Sequence, residues 1–228
     1  MTEVALFDMD GVLLEGDRTD PGVYRAAAHD ALREYDIRRI DDGHASVLEA
    51  SEYRAEMTDA CRSLGIDCDE WWQLRESSAS RRANARIRSG ERSLYPDAEA
   101  VLELPDELPT GLVSNNRRET AEFVADYCFP GRFDVAIGRN PTIADYHRKK
   151  PDPEFLKRAL AALNVRTPES GYYVGDRGTD VLAAERVGLE SILIERPHVD
   201  VGTLASEPDH VVPSLREAVR IVTDLGGE

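Results

Sequence analysis

The chain alternates short apolar runs with amphipathic helical patterns, and this alternation limits the folds open to it. Apolar runs of strand length occur at residues 4–7, 110–114, 134–137, 171–174 and 190–194. Helical patterns separate the later runs, at residues 97–104, 117–128, 153–163, 179–187 and 214–225. Strands that alternate with helices at this spacing form a parallel sheet covered on both faces. We therefore predict a doubly wound, Rossmann-like α/β core.

Residues 15–90 interrupt this alternation, because they contain no strand-like run. Thr19 or Asp20 can cap a first helix that has Pro21 near its start. Two longer helical patterns follow, at residues 45–64 and 69–88. The stretch has the size of a small domain. We predict a core made of residues 1–14 and 91–228, with an all-helical domain of residues 15–90 inserted after the first strand.

The charge balance excludes some classes of partner. The chain has 44 Asp and Glu against 28 Lys and Arg, which gives a net charge of −16. Such a surface repels phosphate backbones, so we expect no nucleic-acid partner. No apolar stretch approaches the ~20 residues of a membrane helix, and the acidic N-terminus does not resemble a secretory signal. We expect a cytoplasmic protein without a membrane partner, a monomer or a small homo-oligomer.

Lysine and cysteine usage indicates the environment of the protein. Lysines are rare, with only Lys149, Lys150 and Lys157 among the 28 basic residues, and acidic residues are abundant. This composition is typical of proteins from salt-loving organisms, whose surface charges are screened by high internal salt. The three cysteines form no C-x-x-C pair, which fits a reducing compartment.

Polar residues follow three of the predicted strands. Asp8 and Asp10 come after the first, Ser114 and Asn115 end the second, and Asp176 follows the strand near residue 172. The carboxyl ends of parallel strands meet at one edge of a sheet, where ligands bind. Carboxylates gathered there repel one another unless a cation lies among them. Mg²⁺ suits a site with few carboxylates and several waters, so the sequence predicts a magnesium site.

Four motifs, in this order, resemble those of the haloacid dehalogenase (HAD) superfamily of phosphohydrolases. They are FDMDG, LVSNN, HRKKP and YYVGDRGTD. The resemblance spans residues 8–180, and residues 15–90 lie where the family places a helical cap domain. It points to the capped phosphatase subgroup that includes phosphoglycolate phosphatase and β-phosphoglucomutase.

The resemblance implies a role for each aspartate. Asp8 is the expected nucleophile, which accepts the phosphoryl group as an aspartyl phosphate. Asp10 is the expected general acid and base, and its main-chain carbonyl is also expected to reach Mg²⁺. Asp176 is expected to bind the metal through its side chain, and Asp8 completes the predicted metal ligands. Asp180 is expected to hold a metal-bound water or to orient the site lysine.

The second and third motifs imply the residues that contact phosphate. Ser114 is expected to donate its hydroxyl to a phosphoryl oxygen, and Asn115 to assist through its main-chain N–H or its side chain. Lys150 is the expected cation beside Asp8 and the phosphate, since it precedes Pro151 as in the K-P pattern of the family. The adjacent Lys149 stays an alternative.

The resemblance implies a Mg²⁺-dependent phosphatase for a small organic phosphate monoester, of the phosphoglycolate or sugar-phosphate kind. A sugar-phosphate mutase of the β-phosphoglucomutase type shares every motif. A phosphoryl-receiving signalling module or a binding protein without turnover is a further alternative, although receiver modules are about half this length. The five histidines show no paired spacing, which argues against a transition-metal site. Trp71 and Trp72 are expected to pack the helical domain.

Overall fold

The structure is a computed structural model, and it describes residues 4–165, 171–199, 202 and 204–224. The chain forms two compact units. An α/β unit comprises the residues up to Arg18, Arg92–Arg139 and the residues from Arg148 onward. A helical unit comprises Thr19–Glu91 and Asn140–His147. The predicted insert of residues 15–90 overlaps the helical unit, and its action as a cap stays a prediction.

A parallel sheet forms the centre of the α/β unit. Its strands are β1 (Ala5–Phe7), β2 (Thr110–Arg117), β3 (Val135–Arg139), β4 (Tyr172–Gly175), β5 (Glu190–Ile194) and β6 (His210–Val212). Their order across the sheet is β3-β2-β1-β4-β5-β6, and every pairing is parallel. The chain builds outward from β1 in one direction and then in the other, so the topological switch point lies between β1 and β4. The predicted doubly wound α/β fold is confirmed.

The helices are α1 (Pro21–Arg33), α2 (Asp42–Leu48), α3 (Glu56–Ser63), α4 (Cys68–Arg88), α5 (Arg118–Cys128), α6 (Ile143–Tyr146), α7 (Glu154–Ala162), α8 (Gly178–Glu185) and α9 (Leu215–Asp224). In the α/β unit, Phe155 of α7 and Ala183 of α8 pack with side chains of the three central strands, Leu6, Val113 and Tyr173. This core fixes the central strands whose ends carry the site. Among the described residues, no helix is both long and apolar enough to cross a bilayer.

The helical unit has its own core. The Asp20 carboxylate caps α1 by accepting the N–H of Gly22 at 2.6 Å, with Pro21 as the first helical residue. Trp71 and Trp72 of α4 are fully buried, as their packing role predicts. The fully buried guanidinium of Arg75 lies 4.7 Å from the ring centroid of Trp72. Burial of large aromatic side chains stabilises this unit.

The predicted helix at residues 45–64 is wrong, because the chain leaves the helix after Leu48 and re-enters it at Glu56. In a continuous helix the carbonyl of Ala50 would bond within the helix, but here it accepts a hydrogen bond from Arg75. The ring of Tyr53 packs edge-on against Trp72, with centroids 5.3 Å apart. These tertiary contacts outweigh local helix propensity.

Two smaller features also differ from the sequence-based prediction. Strand β6 was not predicted, since three residues at the edge of a sheet are too short to show a periodic pattern. The predicted helix at residues 97–104 is a 3₁₀ helix over Ala98–Glu103. Neither difference affects the central strands.

Candidate active site

Asp8 and Asp176 lie at the carboxyl ends of neighbouring strands. Strands β1 and β4 pair with Phe7 opposite Val174, so the residues that follow them are adjacent. The N–H of Asp8 continues the pairing by donating to the carbonyl of Val174 at 2.8 Å. Asp8 is 5% exposed and Asp176 is 1% exposed. The switch point between β1 and β4 therefore holds two buried carboxyl groups.

Two glycines allow the backbone to approach these carboxyl groups. Gly11 has φ of +83°, and a Cβ there would lie 1.9 Å from Oδ2 of Asp176. A Cβ on Gly175 would lie 2.4 Å from Cβ of Asp180. Contacts this short exclude any side chain, so both glycines are required by the geometry of the site.

Lys150 lies between two of the carboxyl groups. Its Nζ is 3.0 Å from Oδ1 of Asp8 and 2.7 Å from Oδ1 of Asp180. The hydroxyl of Tyr173 also contacts this Nζ, and that hydroxyl donates to the carbonyl of Val113 at 2.8 Å. Lys150 is 4% exposed, whereas Lys149 is partly exposed. The structure therefore places the ammonium group of Lys150 beside Asp8.

Asp180 lies in the first turn of α8, and the main chain just before this helix holds its side chain in place. Its Oδ2 accepts the N–H groups of Asp176 at 3.2 Å and of Arg177 at 3.0 Å. Its other oxygen is then directed to Lys150. This is the placement expected of a residue that orients the lysine.

The carboxyl groups of Asp8, Asp176 and Asp180 offer ligand atoms that all lie within 4.8 Å of one another. Oδ1 of Asp176 is buried and accepts no hydrogen bond from the described residues. A buried carboxylate oxygen without a donor is costly unless a cation contacts it. Oxygen ligands at this spacing suit a hard divalent ion such as Mg²⁺. The group contains Asp180 in place of the predicted Asp10, whose main-chain contribution stays a prediction.

Burial and mutual repulsion change the ionisation of this group. Burial raises the pKa of Asp8 to about 8, with Lys150 opposing the rise and the charges of Asp180 and Asp176 adding to it. Burial and the charge of Asp180 raise the pKa of Asp176 to about 7. For Lys150, burial alone would lower the pKa, but the carboxylates of Asp180 and Asp8 hold it above its ordinary value. Lys150 therefore stays charged at neutral pH.

These pKa values predict a pH-dependent response to Mg²⁺. A carboxyl group with a raised pKa stabilises the folded chain at low pH. The metal-free protein loses this contribution as the pH rises from the ordinary value of 3.8 towards about 8 for Asp8 and about 7 for Asp176. A cation binds more tightly once both groups are ionised. We expect Mg²⁺ to raise the melting temperature more at pH 8 than at pH 6, compared with chelator alone.

The Asp176→Asn variant is the control for this thermal measurement. General screening of the net charge of −16 by added Mg²⁺ acts equally on both proteins. The pH-dependent part of the stabilisation should therefore disappear from the variant. An equal Mg²⁺ shift at both pH values in the unmodified protein would argue against a metal site at these carboxyl groups.

Asp10 is not one of the three grouped carboxyl groups, and its side chain has two partners of its own. Nη2 of Arg92 lies 2.8 Å from its Oδ1, and Nδ2 of Asn116 donates to its Oδ2 at 2.8 Å. Neither partner was among the predicted site residues. Asn116 lies two residues after Ser114 on the same strand, so the period-2 alternation of a strand would have selected it had β2 been predicted to continue past Ser114. Arg92 lies in no motif, and no sequence signal identifies it.

The end of β2 differs from the predicted strand-to-helix junction at Ser114. The strand continues to Arg117, with a register shift between Val113 and Arg117. Bulges of this kind are frequent beside active sites, where they re-aim side chains. Buried Ser114 accepts the N–H of Asn116 at 3.2 Å. Its predicted contact with a phosphoryl oxygen stays a prediction.

The side chain of Asn115 is bonded to the main chain of Lys150. Its Oδ1 accepts the N–H of Lys150 at 2.7 Å, and its Nδ2 donates to the carbonyl of Lys150 at 3.3 Å. Asn115 therefore positions the lysine backbone. Its predicted phosphate contact stays a prediction.

His198 also contacts the site, although it was not among the predicted site residues. Its Nε2 lies 2.5 Å from Oδ2 of Asp176. The residue belongs to the segment after β5, far from Asp176 in sequence and outside every motif. Only the folded chain reveals this contact.

Comparison with known proteins agrees with this geometry. The model of the haloacid dehalogenase-like hydrolase family matches residues 2–188, which is more than half of the chain. The chain therefore belongs to this family, and the resemblance inferred from the four motifs is confirmed. It is a member of a hydrolase family.

The relative and the two solved structures that follow share only 20–27% sequence identity with this chain. Pyrophosphatase PpaX of Bacillus mycoides is 27% identical over 145 residues, which cover 59% of this chain and 63% of the relative. The chain thus spans less than two thirds of the length of the curated relatives it matches. The structure of CbbY from Rhodobacter sphaeroides in complex with phosphate has a TM-score of 0.62 and 21% identity, over 95% of this chain and 96% of CbbY. A HAD phosphatase from Thermococcus onnurineus has a TM-score of 0.60 and 20% identity, over 100% and 99% of the two chains.

Proposed function

We propose that the chain is a Mg²⁺-dependent phosphatase that hydrolyses a small organic phosphate monoester through an aspartyl-phosphate intermediate. The observation that carries this proposal is the ammonium group of Lys150, 3.0 Å from the carboxylate of Asp8 at the carboxyl edge of the sheet. A carboxylate that attacks a phosphate dianion needs a fixed cation beside it, because two negative groups must approach each other. The proposed substrate is a phosphorylated metabolite of the phosphoglycolate or sugar-phosphate kind.

In the first step, an oxygen of Asp8 attacks phosphorus and the bond between phosphorus and the leaving oxygen breaks. Asp10 gives a proton to that oxygen, so the product leaves as an alcohol. In the second step, Asp10 takes a proton from water, and the resulting hydroxide attacks the aspartyl phosphate. Asp8 returns as a carboxylate and inorganic phosphate is released. Atoms and charge balance over the two steps.

The neighbouring residues aim the nucleophile and favour its ionised form. Lys150 opposes the rise in the pKa of Asp8, and Asp180 orients Lys150. Asp8, Asp176 and Asp180 would hold Mg²⁺, which when bound supplies further positive charge against the phosphoryl oxygens. The remaining positioning is done by the residues around them. Asn115 fixes the backbone of Lys150, and the two glycines fix the backbone around Asp176 and Asp180.

Hydrolysis of p-nitrophenyl phosphate with and without Mg²⁺ tests this proposal. The assay should be run at high salt, as the acidic, lysine-poor composition suggests. We expect turnover that chelator abolishes and excess Mg²⁺ restores. A panel of phosphoglycolate, sugar phosphates and inorganic pyrophosphate then defines the substrate class, pyrophosphate being included because relatives are named pyrophosphatases. Absence of metal-dependent phosphate release from every compound would reject the proposal.

A further inference from the structure

The carboxylate of Asp10 is engaged at both oxygens by residues from two other segments. Nη2 of Arg92 lies 2.8 Å from Oδ1, and the Asn116 amide donates to Oδ2 at 2.8 Å. The side chains of Arg92 and Asp10 are each only 15% exposed, so this ion pair is shielded from solvent. Shielded pairs with hydrogen bonds on both sides restrict side-chain motion more than surface pairs do.

The same guanidinium is fixed to the backbone that follows Asp10. Nε of Arg92 donates to the carbonyl of Glu15 at 3.0 Å, and Nη2 donates to the carbonyl of Gly16 at 3.1 Å. The neighbouring residue Ser93 accepts the N–H of Glu15 at 2.9 Å. Arg92 therefore cannot turn away from Asp10 without breaking several bonds. The planar, forked guanidinium makes these contacts together, which an ammonium group cannot do.

We infer that Arg92 is a positioning residue for Asp10, holding its carboxyl group in the orientation needed for proton transfer to the leaving oxygen. This inference rests on the proposed phosphatase function, in which Asp10 is the general acid and base. A carboxyl group offers about four lone-pair sites. The contacts with Arg92 and Asn116 therefore leave positions that can carry the transferred proton. Proton transfer needs hydrogen-bond geometry, so an Asp10 side chain that rotates freely would lose much of its catalytic effect.

Two substrates whose leaving groups differ in basicity distinguish a loss of Asp10 positioning from a general loss of activity. The p-nitrophenolate ion is a weak base and leaves without a proton, whereas the alkoxide of glycerol 2-phosphate needs one. The ratio kcat/KM reports the steps up to release of the alcohol, in which Asp10 acts as the acid. We expect Arg92→Gln to lower kcat/KM for glycerol 2-phosphate at least about tenfold and for p-nitrophenyl phosphate less than about threefold.

Arg196 provides a matched control. Its guanidinium donates to the carbonyls of Gly11 at 3.1 Å and Val12 at 3.2 Å, in the same segment that Arg92 holds, and its carboxylate partner is Asp97. If Arg92 acts only by fixing this backbone, Arg196→Gln should change the ratio of the kcat/KM values for the two substrates as much as Arg92→Gln does. We expect Arg196→Gln to leave the ratio unchanged.

A second variant keeps the test decisive if Arg92→Gln does not fold, as judged by thermal denaturation. Arg92→Lys retains the charge but loses the forked contact, and we expect a loss for the alkyl substrate intermediate between the unmodified protein and Arg92→Gln. Equal losses on both substrates in either variant, or a shifted ratio in Arg196→Gln, would overturn the inference. Failure of the proposed function is distinct, because the unmodified protein would then hydrolyse neither substrate with Mg²⁺.

Discussion

Replacing Asp8 by asparagine is expected to lower kcat by about a thousandfold or more, because the variant lacks the carboxylate oxygen that attacks phosphorus. The amide has nearly the same volume, so the core of β1 is not disturbed. The protein should stay folded, since the change removes one carboxyl group from a buried group of three and leaves Lys150 its partner Asp180 at 2.7 Å. Phosphate release is the measurement, with thermal denaturation to establish folding.

The chain contains a matched control in a second D-x-D triplet, Asp67 and Asp69. Asp67 caps α4 by accepting the N–H of Glu70 at 2.9 Å, and asparagine is an equally good cap. Asp67→Asn should therefore keep full activity and full stability. If Asp8→Asn kept more than trace turnover while folded, the nucleophile would have to be a different residue.

The central strands and the aspartates at their ends follow from the sequence. Buried parallel strands read as continuous apolar runs, and Ala5, Leu6 and Phe7 of β1 are fully buried. Once these strands were predicted to be parallel, their carboxyl ends had to meet, which placed Asp8 near Asp176. The order of the four motifs along the chain indicated the other predicted site residues.

The contacts around Asp10 do not follow from the sequence. Arg92 is one of many arginines in the chain, and its partner is 82 positions away in sequence, since 92 − 10 = 82. Only the paths of the connecting segments bring the two together. His198 reaches Asp176 in the same way, from a segment with no motif. Long-range polar pairs of this kind leave no local periodicity.

The break in the helix at residues 45–64 has a similar cause. No glycine or proline lies between Leu48 and Glu56 to indicate an interruption. Within the interruption, the carbonyl of Ala50 accepts a hydrogen bond from Arg75 of α4. Local propensity cannot report a hydrogen bond supplied by another helix.

Replacing Lys150 by methionine is expected to have the largest effect on stability. The methionine fills similar space but leaves Asp8 and Asp180 without the ammonium group that lies 3.0 Å and 2.7 Å from them. Removing one partner of a buried ion pair costs about 3–5 kcal/mol. We expect the free energy of unfolding at pH 8, without metal, to fall by about this amount. The phosphatase activity of the variant should be lower than that of the unmodified protein by about a hundredfold or more.

Lys157→Met is the matched control, because Lys157 is an exposed lysine on α7. The free energy of unfolding should change by no more than about 0.5 kcal/mol in this variant. Denaturant unfolding of the two variants and the unmodified protein, with chelator present, gives the comparison. A small loss of stability in Lys150→Met would mean that the carboxyl group of Asp8 is already neutral in the folded protein.

The pH dependence of the stability lost in Lys150→Met distinguishes an electrostatic role of Lys150 from a packing role. The pKa values of Asp8, about 8, and Asp176, about 7, rise further when the lysine is removed, so both groups are protonated at pH 6 and the cost of burying charge is smaller there. The destabilisation should therefore be greater at pH 8 than at pH 6, and Mg²⁺ should reduce it at pH 8 by replacing the missing positive charge. A cavity or a poor fit of methionine would cost the same at both pH values and would not respond to Mg²⁺. Equal destabilisation at pH 6 and pH 8 would thus show that Lys150 stabilises the fold by packing rather than by neutralising the carboxyl groups.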